Sequence, residues 1–215
     1  MADASSHSER TLFALAAAGF AALAEAVPAD GWDRPALGVW TVRELVGHTT
    51  RALTTVESYR GRRTDGPPLD GPVAYITAAA AEPSGSAGRA ARDEAIAARG
   101  RESAAALGDD PAGGVAGVVE RVRALVDQLA DDTPMGTAAG PMTLAGYLPT
   151  RTLELTVHSL DLCRALDVAE PEGLRPAIEA SLVLAARAAA AEGHGAAVLL
   201  ALCGRGPLPE GFAVI

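Results

Sequence analysis

Apolar residues recur at three- and four-residue spacing along most of the chain, and proline and glycine separate the periodic stretches. This spacing places apolar side chains on one face of an α-helix, whereas a strand shows an alternation of period two. Such alternation nowhere extends beyond a few residues, so the pattern favours an all-α fold. It predicts helices over residues 9–26, 41–59, 73–81, 87–107, 115–129, 143–166, 174–192 and 196–202.

Three of these predicted helices carry residues that indicate where they begin or how exposed they are. Thr41 and Glu44 form a Thr-x-x-Glu capping box, which satisfies exposed amides at a helix start. The helix over residues 87–107 carries many charges and few large apolar side chains, so we expect it to be largely solvated. Pro149 predicts either a kink in its helix or a start later than residue 143.

The chain has 215 residues, of which 49% are hydrophobic and 21% are charged. A chain of this length fits one domain, or one domain with a small appendage. We therefore expect a helical bundle over residues 1–168 and a helical extension with a tail over residues 169–215. The apolar fraction is high enough to exclude intrinsic disorder.

The net charge and the distribution of basic residues argue against a nucleic-acid partner. The formal net charge is −9, and all 18 positively charged residues are arginine, which is typical of a high-GC genome. Nucleic-acid binding needs clustered basic residues, and the nearest candidate, Arg60, Arg62 and Arg63, is too short a cluster. We therefore expect no nucleic-acid partner.

Cysteine use and the apolar stretches indicate the compartment. Cys163 and Cys203 have no spacing typical of a disulfide framework or a thiolate metal site, and we expect both to be buried structural thiols. The N-terminus lacks the pattern of a signal peptide. The longest apolar stretches, such as residues 195–203, fall short of the ~20 residues that a membrane span needs. The sequence thus predicts a cytoplasmic protein with no membrane partner.

Candidate chemistry lies on two predicted helices. Glu154 precedes His158 by four residues, so the two side chains lie about 40° apart on the same helix face, together with Arg151 and Asp161. A carboxylate and an imidazole one turn apart can bind one divalent ion, and His48 on another helix is the available third ligand. Three protein ligands leave a position open, as catalytic metal sites do.

Simpler interpretations of the same residues stay open. A Glu-x-x-x-His pair is often a surface pair worth ~0.2–0.5 kcal/mol. His48 alone is typical of a hydrogen-bonded helix residue, and Arg151 is an ion-pair partner for Glu154 if no metal binds. His7 lies near the chain terminus and His194 lies between two glycines in a predicted turn, so neither is a candidate ligand.

Three segments of the chain resemble the mycothiol-dependent maleylpyruvate isomerase family, within the DinB/YfiT-like metalloenzyme superfamily. WDRPALGVWTVRELVGHTTRAL (32–53) resembles the family's loop, helix start and metal-binding histidine. RTLELTVHSLDLCRAL (151–166) resembles its Arg-x-x-Glu-x-x-x-His-x-x-Asp segment. VLLALCGRGPLPEGF, which contains Arg205, resembles its C-terminal segment.

The resemblance implies a four-helix bundle with zinc, or another divalent metal, at one end. The family's ligands map to His48, Glu154 and His158, the set also indicated by spacing. Asp161 would orient a ligand, and Arg151 would tune Glu154 or meet an anionic group. Arg205 would bind a carboxylate of the thiol or the substrate.

The function implied is that of a mycothiol-dependent isomerase or S-transferase, in which a metal-activated thiol attacks an electrophile. Its partners would be the small-molecule thiol and the electrophilic substrate, and the chain would be a monomer or homodimer. The family's isomerases carry a C-terminal α/β appendage, whereas the corresponding stretch here is short and mainly helical. The alternatives are a non-catalytic protein that binds a metal or small ligand, and a metal-dependent hydrolase.

Overall fold

The computed structural model describes residues 8–80 and 86–214, and its architecture is helical with one small hairpin. His7 lies outside these residues. Within them, no helix is both long enough and apolar enough to span a membrane. The helices are α1 (Glu9–Glu25), α2 (Val42–Tyr59), α3 (Gly71–Ala80), α4 (Ser86–Ala106), α5 (Pro111–Gln128), α6 (Leu144–Leu166), α7 (Arg175–Ala191) and α8 (Gly195–Leu202).

Four of these helices form a bundle around one core. Helices α1 and α2 each pack against both α5 and α6, so the four helices close into a ring. Large apolar side chains from α1, α2 and α6 are fully buried in its centre: Phe13, Phe20, Leu45, Leu53, Leu144, Leu148 and Leu155. The predicted helical bundle is confirmed. The proposed boundary after residue 168 stays a prediction.

The starts of α2 and α6 are fixed by side-chain caps. The Thr41 hydroxyl accepts a hydrogen bond from the Glu44 amide at 3.3 Å, and the Glu44 carboxylate accepts one from the Thr41 amide at 2.9 Å. This is the predicted capping box. Thr143 caps α6 in the same way by accepting from the Gly146 amide. Pro149 therefore lies inside α6, and the prediction of a later start is wrong.

Helix α4 is less solvated than its composition predicts. Ala97, Gly100 and Ala104, spaced by three and four residues, are buried on one face that packs against α2. A Cβ atom on Gly47 of α2 would lie only 2.6 Å from the Ala104 Cα atom. The small residues allow the two backbones to approach closely, so the expectation of a largely solvated helix is wrong for this face.

A short hairpin connects α5 to α6 where the sequence predicts only a break. Strand β1 (Pro134–Gly136) pairs antiparallel with β2 (Pro141–Thr143). Three-residue strands are too short to show a period-two pattern, which explains why the sequence does not reveal them. The hairpin also bridges to Arg60 after α2, and so joins the ends of three bundle helices.

The two C-terminal helices have the predicted positions. Helix α7 packs on α1, α3 and α6, and α8 packs on α7. Cys163 is buried as predicted, but Cys203 is exposed at the end of α8, so the expectation of two buried thiols is wrong for this residue. Helices α7 and α8 expose several large apolar side chains: Leu182, Val183, Leu199, Leu200 and Leu202.

Candidate metal centre

The bundle brings together the three residues that the sequence indicates as metal ligands. His48 lies on α2, and Glu154 and His158 lie one turn apart on the neighbouring helix α6. One donor atom from each residue can be chosen so that all three lie within 4.8 Å of one another. Side chains from two separate helices therefore converge on a single point.

Asp161 orients the ring of His158. Its carboxylate lies 3.2 Å from His158 Nδ1, while His158 Nε2 lies 3.5 Å from the Glu154 carboxylate. The ring is thus held between two carboxylates from the same helix face. A carboxylate on the outer nitrogen of a histidine fixes the orientation and raises the basicity of the nitrogen that faces a metal.

Arg151 lies one turn before Glu154 and is buried. Its guanidinium carbon lies 4.7 Å from the ring centre of Tyr147 and 5.4 Å from that of Tyr75, and Nη2 donates to the Tyr75 hydroxyl at 3.3 Å. Within the described ranges, no ion pair joins Arg151 to Glu154. The positive charge of Arg151 nevertheless lowers the pKa of Glu154.

The charges of the three candidate ligands are strongly coupled. Burial, together with repulsion from His158, lowers the pKa of His48 to about 4. Burial alone would lower the pKa of His158, but Asp161 and Glu154 outweigh it and raise this pKa to about 9. Burial likewise opposes ionisation of Glu154, yet His158 and Arg151 lower its pKa to about 2. At neutral pH these shifts favour a neutral His48, a protonated His158 and an ionised Glu154.

The donor set fits a divalent transition metal. Two imidazole nitrogens and one carboxylate oxygen are the ligands that catalytic zinc sites use, and three ligands leave a position for an exogenous group. Among the described residues, the buried Nδ1 atom of His48 has no hydrogen-bond partner. The neutral imidazole of His48 and the ionised carboxylate of Glu154 are together consistent with a metal site.

The three residues lie in the wall of a cavity of about 500 Å³. Three arginines and three tyrosines also line it: Arg51, Arg99, Arg151, Tyr59, Tyr75 and Tyr147. The cavity therefore carries a local excess of positive charge in a protein whose net charge is −9. Such an excess raises the local concentration of anions.

The sequence did not identify several of the lining residues, among them Tyr75 on α3 and Arg99 on α4. Nothing in their local pattern marks them, because their place in the cavity depends on how α3 and α4 pack. Arg205 lies exposed in the turn after α8 and is not among the described residues that line the cavity. Its role in binding a carboxylate stays a prediction.

The family model for the mycothiol maleylpyruvate isomerase N-terminal domain matches residues 13–163. The match extends from α1 into α6 and includes all three candidate ligands. No curated protein and no solved structure matches the chain. The match confirms the family resemblance and, with the helical architecture, the all-α, DinB-like fold. The C-terminal segment that contains Arg205 lies outside the match, so its resemblance stays a prediction. The chain therefore belongs to the mycothiol maleylpyruvate isomerase N-terminal domain family.

Proposed function

We propose that this protein is a metal-dependent enzyme that uses mycothiol, and that it activates the thiol for attack on an electrophile. The product would be either a cis–trans isomer or an S-conjugate. The main support for this proposal is the convergence of His48, Glu154 and His158 on one wall of a cavity. Family membership supports mycothiol as the thiol.

The three residues would hold a divalent cation, and zinc suits the donor set. When bound, such an ion lowers the pKa of a coordinated thiol, which is ~8.5 for a free cysteine, and so supplies a thiolate at neutral pH. Asp161 would keep the His158 ring in its binding orientation. Arg151 would keep Glu154 ionised.

The cavity favours an electrophile with a negative charge. Arg51 and Arg99 line the same cavity as the ligands, and within the described ranges neither makes an ion pair. Glu154 is the only carboxylate among the described lining residues, and its negative charge would be offset by the bound cation. A carboxylate on the substrate would compensate the two guanidinium groups and orient the reacting carbon.

Isomerisation and S-transfer begin with the same step. The thiolate sulfur forms a bond to one carbon of a conjugated cis double bond, and the π electrons move to the conjugated carbonyl oxygen. Rotation about the resulting single bond, followed by cleavage of the C–S bond, regenerates the thiolate and gives the trans isomer. Protonation of the adduct before cleavage gives the S-conjugate instead.

Metal analysis tests the site. Protein purified without chelator is expected to contain about one divalent ion per chain, and His158→Ala is expected to lose it. His194→Ala is the matched control, because His194 lies in the turn between α7 and α8. A metal-free wild-type protein that also fails to bind added Zn²⁺ would exclude the site.

Turnover tests the chemistry. Metal-loaded protein is incubated with mycothiol and electrophiles that include maleylpyruvate, and products are separated by chromatography. Isomerised or S-conjugated product that requires mycothiol supports the proposal. Metal binding without turnover of any of these electrophiles would indicate a carrier or sensor, and a hydrolysed product formed without thiol would indicate a hydrolase.

A further inference from the structure

The two histidines of the candidate metal centre are held in different ways. The Nδ1 atom of His158 is paired with the Asp161 carboxylate at 3.2 Å. The Nδ1 atom of His48 is also buried, but among the described residues it has no hydrogen-bond partner. A metal-binding histidine normally gains its orientation from a hydrogen bond at its other nitrogen. With Nε2 as the metal-facing atom, His48 therefore has no hydrogen bond at its outer nitrogen that orients the ring.

Trp40 packs directly on the His48 ring. The ring centres lie 4.4 Å apart, and the planes are inclined by 33°, so the two rings are in tilted contact. The same indole meets His158 edge-on at 6.5 Å, and the two imidazoles meet at 4.9 Å. Trp40 is thus in contact with the ligand that lacks a hydrogen bond and close to the ligand that has one.

The backbone around Trp40 is itself fixed. Trp40 immediately precedes the cap of α2, its amide donates to the Leu37 carbonyl at 2.9 Å, and its carbonyl accepts from the Ala36 amide at 2.9 Å. Helix α4 packs against the same pair of rings, since a Cβ atom on Gly100 would lie 3.5 Å from His48 Cβ and 3.8 Å from Trp40 Cε2. The indole therefore lies close to both α2 and α4.

The indole nitrogen contributes no hydrogen bond. Trp40 Nε1 is buried and has no partner among the described residues. A buried, unpaired N–H is unfavourable, and a phenylalanine at this position would avoid that cost. The contact that the indole does make is the tilted one with the His48 ring, and aromatic pairs at about this separation attract each other.

We propose that Trp40 is a positioning residue of the metal centre, which holds the His48 ring in its metal-binding orientation by direct contact between the indole and the imidazole. Trp40 would orient the His48 ring, as Asp161 orients the His158 ring. This inference rests on the metal site of the proposed function and is independent of the thiol chemistry.

Variants that keep or remove the aromatic face test this role. Trp40→Phe keeps a ring, Trp40→Met keeps apolar bulk without a ring, and Trp32→Phe alters the other tryptophan, which is buried in the core. Loss of a group that orients a ligand typically weakens metal binding about 10–100-fold. We expect Co²⁺ affinity, measured by competition with an indicator, to fall about tenfold in Trp40→Met and to change little in the two phenylalanine variants.

The visible spectrum of bound Co²⁺ separates positioning from stability, because its d–d bands report the ligand geometry. We expect altered bands in Trp40→Met and wild-type bands in Trp40→Phe, with similar helical circular dichroism for both. Wild-type affinity and bands in Trp40→Met would overturn the proposal. So would a Trp40→Phe protein as impaired as Trp40→Met, because a ring face would then not be sufficient.

A second measurement does not depend on the folding of Trp40→Met. The chain has two tryptophans, so Trp40 is the sole indole in Trp32→Phe. Co²⁺ is expected to quench its emission strongly, and unchanged emission in Co²⁺-loaded protein would overturn the proposal. If the wild-type protein binds neither Co²⁺ nor Zn²⁺, the metal site and this inference both fail. If it binds metal but does not turn over thiol substrates, only the thiol chemistry fails.

Discussion

The metal cavity and the α7–α8 region differ in the kind of side chain that each buries and exposes. Around the cavity, ionisable side chains such as Glu154, His158 and Arg151 are largely withdrawn from water, and their charges offset one another. Along α7 and α8, large apolar side chains such as Leu182 and Leu199 remain exposed at 56% and 63%. In the first region the unusual feature is buried charge, and in the second it is exposed hydrophobic area.

This contrast shows where functional information is concentrated. Exposed apolar residues are common on protein surfaces and by themselves carry little meaning. Buried charges are costly unless they are paired, so a coupled cluster of them indicates a functional site. The family match agrees with this division, because it ends at residue 163, before α7 begins.

The sharpest test of the contrast removes one charge from each region. Glu154→Gln is expected to weaken Zn²⁺ binding at least about a hundredfold, because a neutral amide replaces the anionic ligand. Glu179→Gln, on an exposed position of α7, is the control and should bind Zn²⁺ as the wild type does. Isothermal titration calorimetry measures both. Equal affinities would show that Glu154 is not a ligand.

A second test concerns the tight packing beside the cavity. Gly47→Ala places a methyl group against the Ala104 backbone, and we expect the free energy of unfolding to fall by about 1–3 kcal/mol. Gly117→Ala on α5 meets no atom within 4 Å, and the better helix propensity of alanine should stabilise that variant by up to about 1 kcal/mol. Urea denaturation gives both values. A neutral Gly47→Ala would mean that α4 moves away at no cost.

A third test uses the proton on His158. The pKa of His158 is raised to about 9 in the metal-free protein, so metal binding at neutral pH must release this proton. Affinity should therefore increase about tenfold per pH unit from pH 6 to 8.5. His48, with a pKa lowered to about 4, adds no second proton in this range. Zn²⁺ titrations at several pH values measure the slope, and a flat profile would contradict the assignment.

The smallest effect is expected on α8. Leu199→Ser removes apolar area that is already in water, so the free energy of unfolding should change by less than about 0.5 kcal/mol. Leu184→Ser, on the buried face of α7, should cost several-fold more. A large cost for Leu199→Ser that depends on protein concentration would show that a second copy covers this face in solution.

Local sequence signals predicted much of the fold and the proposed ligands. The capping box at Thr41 fixed the start of α2, and the four-residue spacing of Glu154 and His158 placed both on one face. These features depend only on residues within one or two helical turns. His48 could be added as a third candidate ligand because it lies on a polar face of its predicted helix. That this helix packs against α6 depends on tertiary structure, which spacing along the sequence does not show.

Features that depend on how helices pack were missed. The burial of α4 depends on the close approach of Gly47 to Ala104, and a glycine in a helix does not reveal which partner it meets. Tyr75 and Arg99 reach the cavity from helices outside the bundle ring for the same reason. Cys203 was expected to be a buried thiol, but it is exposed at the end of α8, and the burial of a helix end depends on tertiary packing.

The salt bridges around His158 also bear on the order in which the protein folds and acquires its ion. The negative charges of Glu154 and Asp161 lie beside the positive charges of His158 and Arg151, and the apolar core of the bundle includes none of the three candidate ligands. Small zinc domains, by contrast, are unfolded until they bind their ion. We therefore expect the proposed enzyme to fold first and to take up its ion afterwards. The supply of metal in the cell would then control how much of the protein is active, and not how much of it is folded.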